Sequence, residues 1–120
     1  MKFVIDGRLA GLNDYINACR DNKYRANTMK RDNEFIVFLA IKQAHLKKVE
    51  SYPVQLKITF YEPNMKRDID NISFATKFIL DALVRSGILE NDNQKKVNGL
   101  IYEFKHDKEN PRIEVVINEK

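Results

Sequence analysis

Three stretches of the chain alternate between apolar and polar residues, which is the pattern of a β-strand that buries one face. The longest covers residues 54–61, where every second residue from Val54 onward is apolar. Residues 100–105 and 113–118 alternate in the same way, and the short segment between them predicts a hairpin. A brief apolar run at residues 2–6 predicts a first strand.

Helical periodicity occupies the remaining stretches. A short helix is predicted over 13–20 and a longer one over 28–49, whose apolar stripe comprises Phe35, Ile36, Phe38, Leu39, Leu46 and Val49. A third helix is predicted over 72–86, with one apolar face that should pack on the sheet. The order β-α-β-α-β-β predicts an α+β fold with a small mixed β-sheet and helices packed on one face.

Length and composition narrow the class of protein. A chain of 120 residues predicts a single domain, 1–120. The only cysteine, Cys19, excludes an intrachain disulfide framework and fits a reducing compartment. No apolar stretch reaches membrane-spanning length and no signal-peptide pattern is present, so we expect a cytoplasmic protein without a membrane partner. The net charge of +4 permits a nucleic-acid partner without requiring one.

Acidic residues bracket the third predicted helix. Asp68 and Asp70 precede it, Asp92 follows it, and Lys66 and Arg67 stand directly before the first pair. Carboxylates of this kind suit Mg²⁺ or Mn²⁺, which also bind substrate phosphate oxygens, and the adjacent cations suit a polyanion. The alternative is that the Asp-x-Asp segment only caps the helix. The first interpretation predicts metal-assisted hydrolysis of a phosphodiester backbone.

A longer set of residues carries a family resemblance. It comprises Arg67-Asp68-Ile69-Asp70-Asn71, Lys77, Asp81-Ala82-Leu83, Gly87, and Asp92 with Gln94. In order and spacing this set resembles the RusA family of Holliday-junction resolvases. The resemblance implies that Asp68, Asp70 and Asp92 hold a divalent metal and that a lysine assists catalysis. It also implies a homodimer that acts on four-way DNA junctions, in a bacterial or phage-encoded protein.

The chain departs from the family pattern at two places. Asn91-Asp92 stands where the family has an acidic pair. The segment between Asn71 and Asp81 is also about three residues longer, close to one helical turn of 3.6 residues. Counting from Asp70 places Phe74 at the lysine position, whereas counting back from Asp81 places Lys77 there. We expect Lys77 to be catalytic, because an aromatic ring cannot stabilise phosphoryl charge.

The segment 7–27 supplies further candidates for DNA contact. It is rich in asparagine, tyrosine and basic residues, and we single out Asn13, Tyr15 and Arg25, together with Lys66 and Arg67. The alternative is a polar surface loop. Two other functions also stay open, a non-enzymatic DNA-binding module and a less selective branched-DNA or flap endonuclease.

The position of Asp92 raises a geometrical question. A helix over 72–86 is about 22 Å long at 1.5 Å per residue. The chain from Ser86 to Asp92 spans at most about 20 Å. Asp92 therefore reaches Asp68 and Asp70 by a shorter helix or a nearly straight path, or else the second protomer of a dimer completes the site.

Overall fold

The strand with the longest alternation covers Val54–Glu62 and lies inside a four-stranded sheet. The computed structural model describes residues 1–119. In chain order the elements are β1 (Lys2–Asp6), α1 (Leu12–Asp21), α2 (Lys23–Gln43), β2 (Val54–Glu62), α3 (Ile69–Ser73), α4 (Thr76–Arg85), β3 (Val97–His106) and β4 (Arg112–Glu119). Strand β4 runs antiparallel to both β1 and β2, and β3 runs parallel to β2. The prediction of an α+β fold with a mixed sheet is confirmed.

The predicted hairpin between the last two strands is wrong. Strand β2 lies between β3 and β4 and pairs with both of them. The connection from His106 to Arg112 passes over the end of β2, where the Asp107 backbone N–H donates to the Glu62 carbonyl oxygen at 2.9 Å. Strand β2 is paired along both edges, and six of its nine residues are buried.

One face of the sheet carries the helices. The alternation in β2 is confirmed, since Val54, Leu56, Ile58 and Phe60 are all buried on this face. Helix α4 packs there with the side chains predicted for its apolar face, Phe78, Ile79, Ala82 and Leu83. The predicted helix over 72–86 is divided into α3 and α4 by a break at Phe74 and Ala75, but its buried face is as predicted.

Helix α2 differs most from its prediction. It covers 23–43 rather than 28–49, and the chain leaves it through His45, whose φ is 52°. Its buried residues are Ala26, Glu34, Val37 and Ile41, while Phe35, Ile36 and Leu39 of the predicted stripe are exposed. The helix lies beside α1 and α4, and its main contact with the sheet is along β1. Its buried strip is therefore narrower than its apolar surface.

The short helix predicted over 13–20 is confirmed as α1. Among residues 1–119, no helix combines the length and the apolar character that crossing a membrane requires. That the whole chain forms a single domain stays a prediction.

Candidate metal and DNA site

A buried ion pair supports the acidic segment, which is the Asp-x-Asp segment of residues 68–70. Glu62, the last residue of β2, is buried, and Arg67 donates to its carboxylate from Nε to Oε1 at 2.9 Å and from Nη2 to Oε2 at 2.8 Å. Arg8 also approaches Oε1, at 3.5 Å from its Nη1. Two parallel bonds from one guanidinium fix orientation as well as distance. They hold the residue that directly precedes Asp68.

Arg67 also connects this segment to the start of the chain. Its Nη1 donates to the Leu9 carbonyl oxygen at 3.2 Å, between β1 and α1. The predicted contact between Arg67 and DNA stays a prediction, and the structure adds that this guanidinium already has partners inside the protein. The sequence offered little sign of this, because Glu62 simply ends an alternating strand.

The N-terminus of α1 docks against α3. The Asn13 backbone N–H donates to Asn71 Oδ1 at 2.9 Å. Gly11 lies so close that a Cβ there would be 2.3 Å from the same oxygen, so that only glycine fits. Asn13 is thereby held beside the Asp-x-Asp segment. Sequence reasoning missed Gly11, and it included Asn71 in the family motif without assigning it this contact.

The two aspartates of the segment are exposed to solvent. Asp68 occupies the position before the first residue of α3, but its side chain makes no capping hydrogen bond. Asp70 Oδ1 accepts from the Asn71 backbone N–H at 2.9 Å. Asp70 thus bonds to the first turn of α3, as the helix-capping alternative predicts, but that alternative does not account for the Asp68 carboxylate.

An aromatic cluster lies next to this segment. The rings of Tyr15 and Phe74 have centroids 5.3 Å apart, and they line a cavity of about 130 Å³ together with Lys30, Lys77 and Phe78. A hydrogen bond with Cys19 raises the pKa of Tyr15, which keeps the hydroxyl neutral, although the charge of Lys77 opposes this. The structure thus brings together Tyr15 and Lys77, two of the predicted site residues.

The other basic candidates differ in position. Lys77 is largely exposed and pairs with Asp81, its Nζ lying 3.2 Å from Oδ2. Lys66 is exposed in the loop before Asp68. Arg25 pairs with Asp21 where α1 meets α2. Eight residues of α1 separate that corner from Asn13, a distance of about 12 Å at 1.5 Å per residue. Arg25 is therefore not brought to the acidic segment.

Asp92 lies at the opposite end of β2. The Val54 backbone N–H, at the beginning of β2, donates to the Lys96 carbonyl oxygen at 2.8 Å. The Glu90 backbone N–H donates to the hydroxyl oxygen of Tyr52 at 2.8 Å. These bonds fix the loop of Asp92 near Val54. The nine residues of β2 then extend about 26 Å, at ~3.3 Å per residue, toward the Asp-x-Asp segment.

Within one chain, Asp92 therefore lies far from Asp68 and Asp70, and the three predicted metal ligands do not form one cluster. Within residues 1–119, no three His, Cys, Asp or Glu side chains lie close enough together to hold a metal ion. Asp68 and Asp70 are nevertheless suitable for Mg²⁺ or Mn²⁺, which accept one or two carboxylates and complete their coordination with water and phosphate oxygens.

Comparison with known families agrees with this chemistry. The sequence profile of the family described as Endodeoxyribonuclease RusA matches residues 12–118. The matched range contains each of the predicted metal, catalytic and DNA-binding residues. No curated protein matches the sequence.

Proposed function

Because the chain belongs to the RusA family of endodeoxyribonucleases, which resolve Holliday junctions, we propose that Asp68, Asp70 and Asp92 are its metal ligands. Nucleases of this family are phosphodiester hydrolases and are generally metal-dependent. The proposal specifies Mg²⁺ or Mn²⁺ as the metal and a four-way DNA junction as the substrate. It places the reaction in the cytoplasm, where a thiol such as Cys19 stays reduced.

One observation carries the assignment of the acids. The Asp68 carboxylate makes no capping bond, and the residue before it is held by a buried bidentate ion pair. Such support is expected where a ligand must keep its position before the metal arrives. The chemistry that a bound Mg²⁺ or Mn²⁺ supplies here is polarisation of the scissile phosphate and activation of a water molecule.

The neighbouring side chains take the other roles in the proposal. Lys77 stabilises the charge that develops on the phosphoryl oxygens or the leaving group, as a preorganised cation does. Asn13 and Lys66 contact the DNA backbone beside the acids, and Tyr15 offers a ring to a base. Arg67 supports the segment from within, and Arg25 contacts a more distant part of the DNA.

The proposal also includes a homodimer. Productive resolution of a junction requires paired cuts in symmetrically related strands, and a two-fold dimer provides two equivalent sites for them. Each site then meets one of the two strands to be cut.

The test compares three synthetic substrates of matched sequence: a four-way junction, a flap and a linear duplex. We expect cleavage of the junction with Mg²⁺, loss of cleavage with a chelator, and much weaker cleavage of the flap and duplex. Equal cleavage of junction and flap would indicate a general branched-DNA endonuclease. Junction binding without cleavage at any divalent-metal concentration would indicate a non-enzymatic binding module.

A further inference from the structure

The aromatic cluster beside the acidic segment surrounds a cavity of about 130 Å³. Phe78 lines it from the core and is fully buried, and Phe74 meets Phe78 edge to face with ring centroids 5.7 Å apart. The Tyr15 ring stands next to Phe74 at 5.3 Å, tilted by 33°. Tyr15 and Phe74 are only half-buried, so part of each ring is open to a ligand. Three rings around one small space offer stacking surfaces to a flat ligand.

The cavity lies directly beside Asp70. Phe74 follows Asp70 by four residues, and the helical conformation of α3 extends to Phe74, whose φ and ψ are −53° and −29°. Residues four apart on a helix are neighbours on its surface, with Cβ atoms about 5–6 Å apart. A nucleotide whose phosphate meets a metal on Asp68 and Asp70 therefore has a base close to the mouth of this cavity.

The charged groups that line the cavity are hydrogen-bond donors. They are the ammonium groups of Lys30 and Lys77, each with three N–H groups and no acceptor. The hydroxyl of Tyr15 is already bonded to Cys19. Such a lining favours a base that presents a keto oxygen, as thymine does at O4 and guanine at O6. Cytosine and adenine present an amino group at the same place, which two ammonium groups cannot accept.

A base suits this cavity better than a phosphate does. Lysines alone would attract either group, but the walls of the cavity are the rings of Tyr15, Phe74 and Phe78. Aromatic walls cannot replace the water that a phosphate loses on entering, whereas every base has a π-face that stacks on such rings.

We propose that the cavity binds one unstacked base of the junction, thymine or guanine, against the rings of Tyr15 and Phe74, with Lys30 donating to its keto oxygen. An unpaired base is the least costly to take out of a stack, and the exchange point of a junction is where pairing is most easily lost. The inference rests on the proposed function and adds to it a base subsite that includes Lys30 and Phe74.

The subsite makes cutting depend on DNA sequence as well as on junction shape. Contacts to phosphates position a protein on DNA but carry no sequence information, which has to come from the bases. A base held beside Asp70 also fixes the position of its own phosphate relative to the metal, so the contact contributes to the rate of cutting and not to binding alone.

The first test varies one base at a time. Immobile four-way junctions carry each of the four bases in turn at each position next to the exchange point, and Mg²⁺-dependent cutting by the wild-type protein is measured. We expect one position at which junctions with thymine or guanine are cut about tenfold faster than those with cytosine or adenine. An abasic residue at that position should also slow cutting by about tenfold or more.

Two variants separate the ring from the cation. Phe74→Leu keeps an apolar side chain but removes the stacking ring, so we expect about tenfold slower cutting of the preferred junction and an unchanged rate on the abasic one. Lys30→Met keeps the length of the side chain but removes the donor, so the four bases should be cut within about twofold of one another. A purely structural role would slow all junctions equally.

The matched controls lie elsewhere in the fold. Phe104 is also half-buried and stacks on Phe60 at 5.6 Å, but it lies in edge strand β3. Lys42 lies on the same helix as Lys30 but about 18 Å along it, at 1.5 Å per residue. Phe104→Leu and Lys42→Met should both keep the full base preference, and circular dichroism verifies that all four variants fold.

The second test locates the bound base without cutting. 5-Iodouracil, a photoreactive analogue of thymine, replaces the preferred base, and the junction is irradiated with wild-type protein in a chelator. Mass spectrometry then identifies the cross-linked residue. We expect Tyr15 or Phe74, because these rings are the surfaces on which the base lies.

The outcomes distinguish this inference from the proposed function. If the wild-type protein cuts junctions with all four bases and the abasic residue equally well, or cross-links only outside the cavity, the inference is overturned and the proposed function stands. The inference is also overturned if Lys30→Met slows all junctions equally, since the lysine would then contact a phosphate. If the wild-type protein cuts no junction with any divalent metal, the proposed function itself fails, and the inference fails with it.

Discussion

The two ends of β2 hold their carboxylates in different ways. At the Glu62 end, the acidic segment is tied down by a buried ion pair to Arg67 and by the side chain of Asn71. At the Val54 end, the Asp92 and Asn93 backbone N–H groups donate to Asn91 Oδ1 within the loop itself, at 2.7 and 3.2 Å. Tyr52 and the Lys96 backbone tether that loop to the sheet.

The two ends of β2 are therefore held by different kinds of bonds, although both carry carboxylates proposed for the same reaction. Buried, bidentate bonds fix a group before its ligand arrives, and the bonds of an exposed loop leave a side chain at the surface of the molecule. The Glu62 end resembles a preformed half-site. At the Val54 end, Asp92 is half-buried in a loop whose backbone N–H groups bond to the side chain of Asn91.

We expect the largest effect on cleavage when a carboxylate is removed from either end of β2. Asp70→Asn and Asp92→Asn should each lower junction cleavage by at least about 10³-fold, since both remove a metal ligand. Binding of the junction in a gel-shift assay should be unchanged or tighter, because negative charge near the phosphates is removed. Undiminished nicking by Asp70→Asn would remove the metal site from the Glu62 end.

The next effect concerns the support at the Glu62 end. Arg67→Met leaves the Glu62 carboxylate buried without its main partner, which costs about 3–5 kcal/mol of unfolding free energy in urea titrations. Because the residue next to Asp68 loses its anchor, the Mg²⁺ concentration for half-maximal cleavage should rise by about tenfold or more. Activity should partly return at saturating Mg²⁺.

Arg112→Met is the matched control for this change. Arg112 is similarly covered, 20% exposed against 17% for Arg67, and binds Glu114 and Asp107 on the outer side of the sheet. We expect a smaller loss of stability and an unchanged Mg²⁺ requirement. If Arg67→Met lowers stability but leaves the Mg²⁺ requirement unaltered, its ion pair serves the fold alone.

A smaller effect tests whether the Glu62 end has its own cation. Lys77→Ala should lower the cleavage rate on the order of 10²-fold, with little change in junction affinity or melting temperature. Lys57→Ala removes a comparable lysine, which pairs with Glu103 at 2.6 Å in the middle of the sheet. It should cleave normally. A wild-type rate for Lys77→Ala would make this lysine only a surface partner of Asp81, and Lys66 would be the next candidate.

The smallest effect lies at the Val54 end. Tyr52→Phe removes the hydroxyl that accepts from the Glu90 backbone N–H, a bond worth about 1 kcal/mol. Hydrogen exchange at the Glu90 amide should become faster, and cleavage should fall by a factor of roughly 2–5 because the loop of Asp92 is less well placed. An unchanged exchange rate would show that Lys96 alone tethers the loop.

The sequence identified the elements that bury a regular pattern against one partner. In β2, each residue of the alternating set faces the helices, and in α4 the apolar face meets the sheet as predicted. The prediction of the buried face of α2 failed because apolar residues occupy more than one side of this helix. Periodicity then cannot decide that Glu34 lies inside and Phe35 outside, since this depends on the neighbouring helices.

The candidate site shows the same limit. Asp68 and Asp70 were recognisable because their chemistry is local to one segment. Their supports were not, because Arg67 reaches Leu9 across the sheet and Gly11 meets Asn71 from another helix. The predicted hairpin was wrong for a related reason. Strands β3 and β4 are consecutive in the sequence, but β2 lies between them in the sheet.

The central place of β2 has a consequence for synthesis of the protein. Both β1 and β2 pair with β4, which occupies residues 112–119, so no chain shorter than this contains the full sheet. Pairings between such distant parts of a sequence form late and slowly. A ribosome-bound chain that already displays Asp68, Asp70 and Asp92 still lacks the framework that supports them. We therefore expect a nascent chain to be inactive toward DNA until β4 has been made.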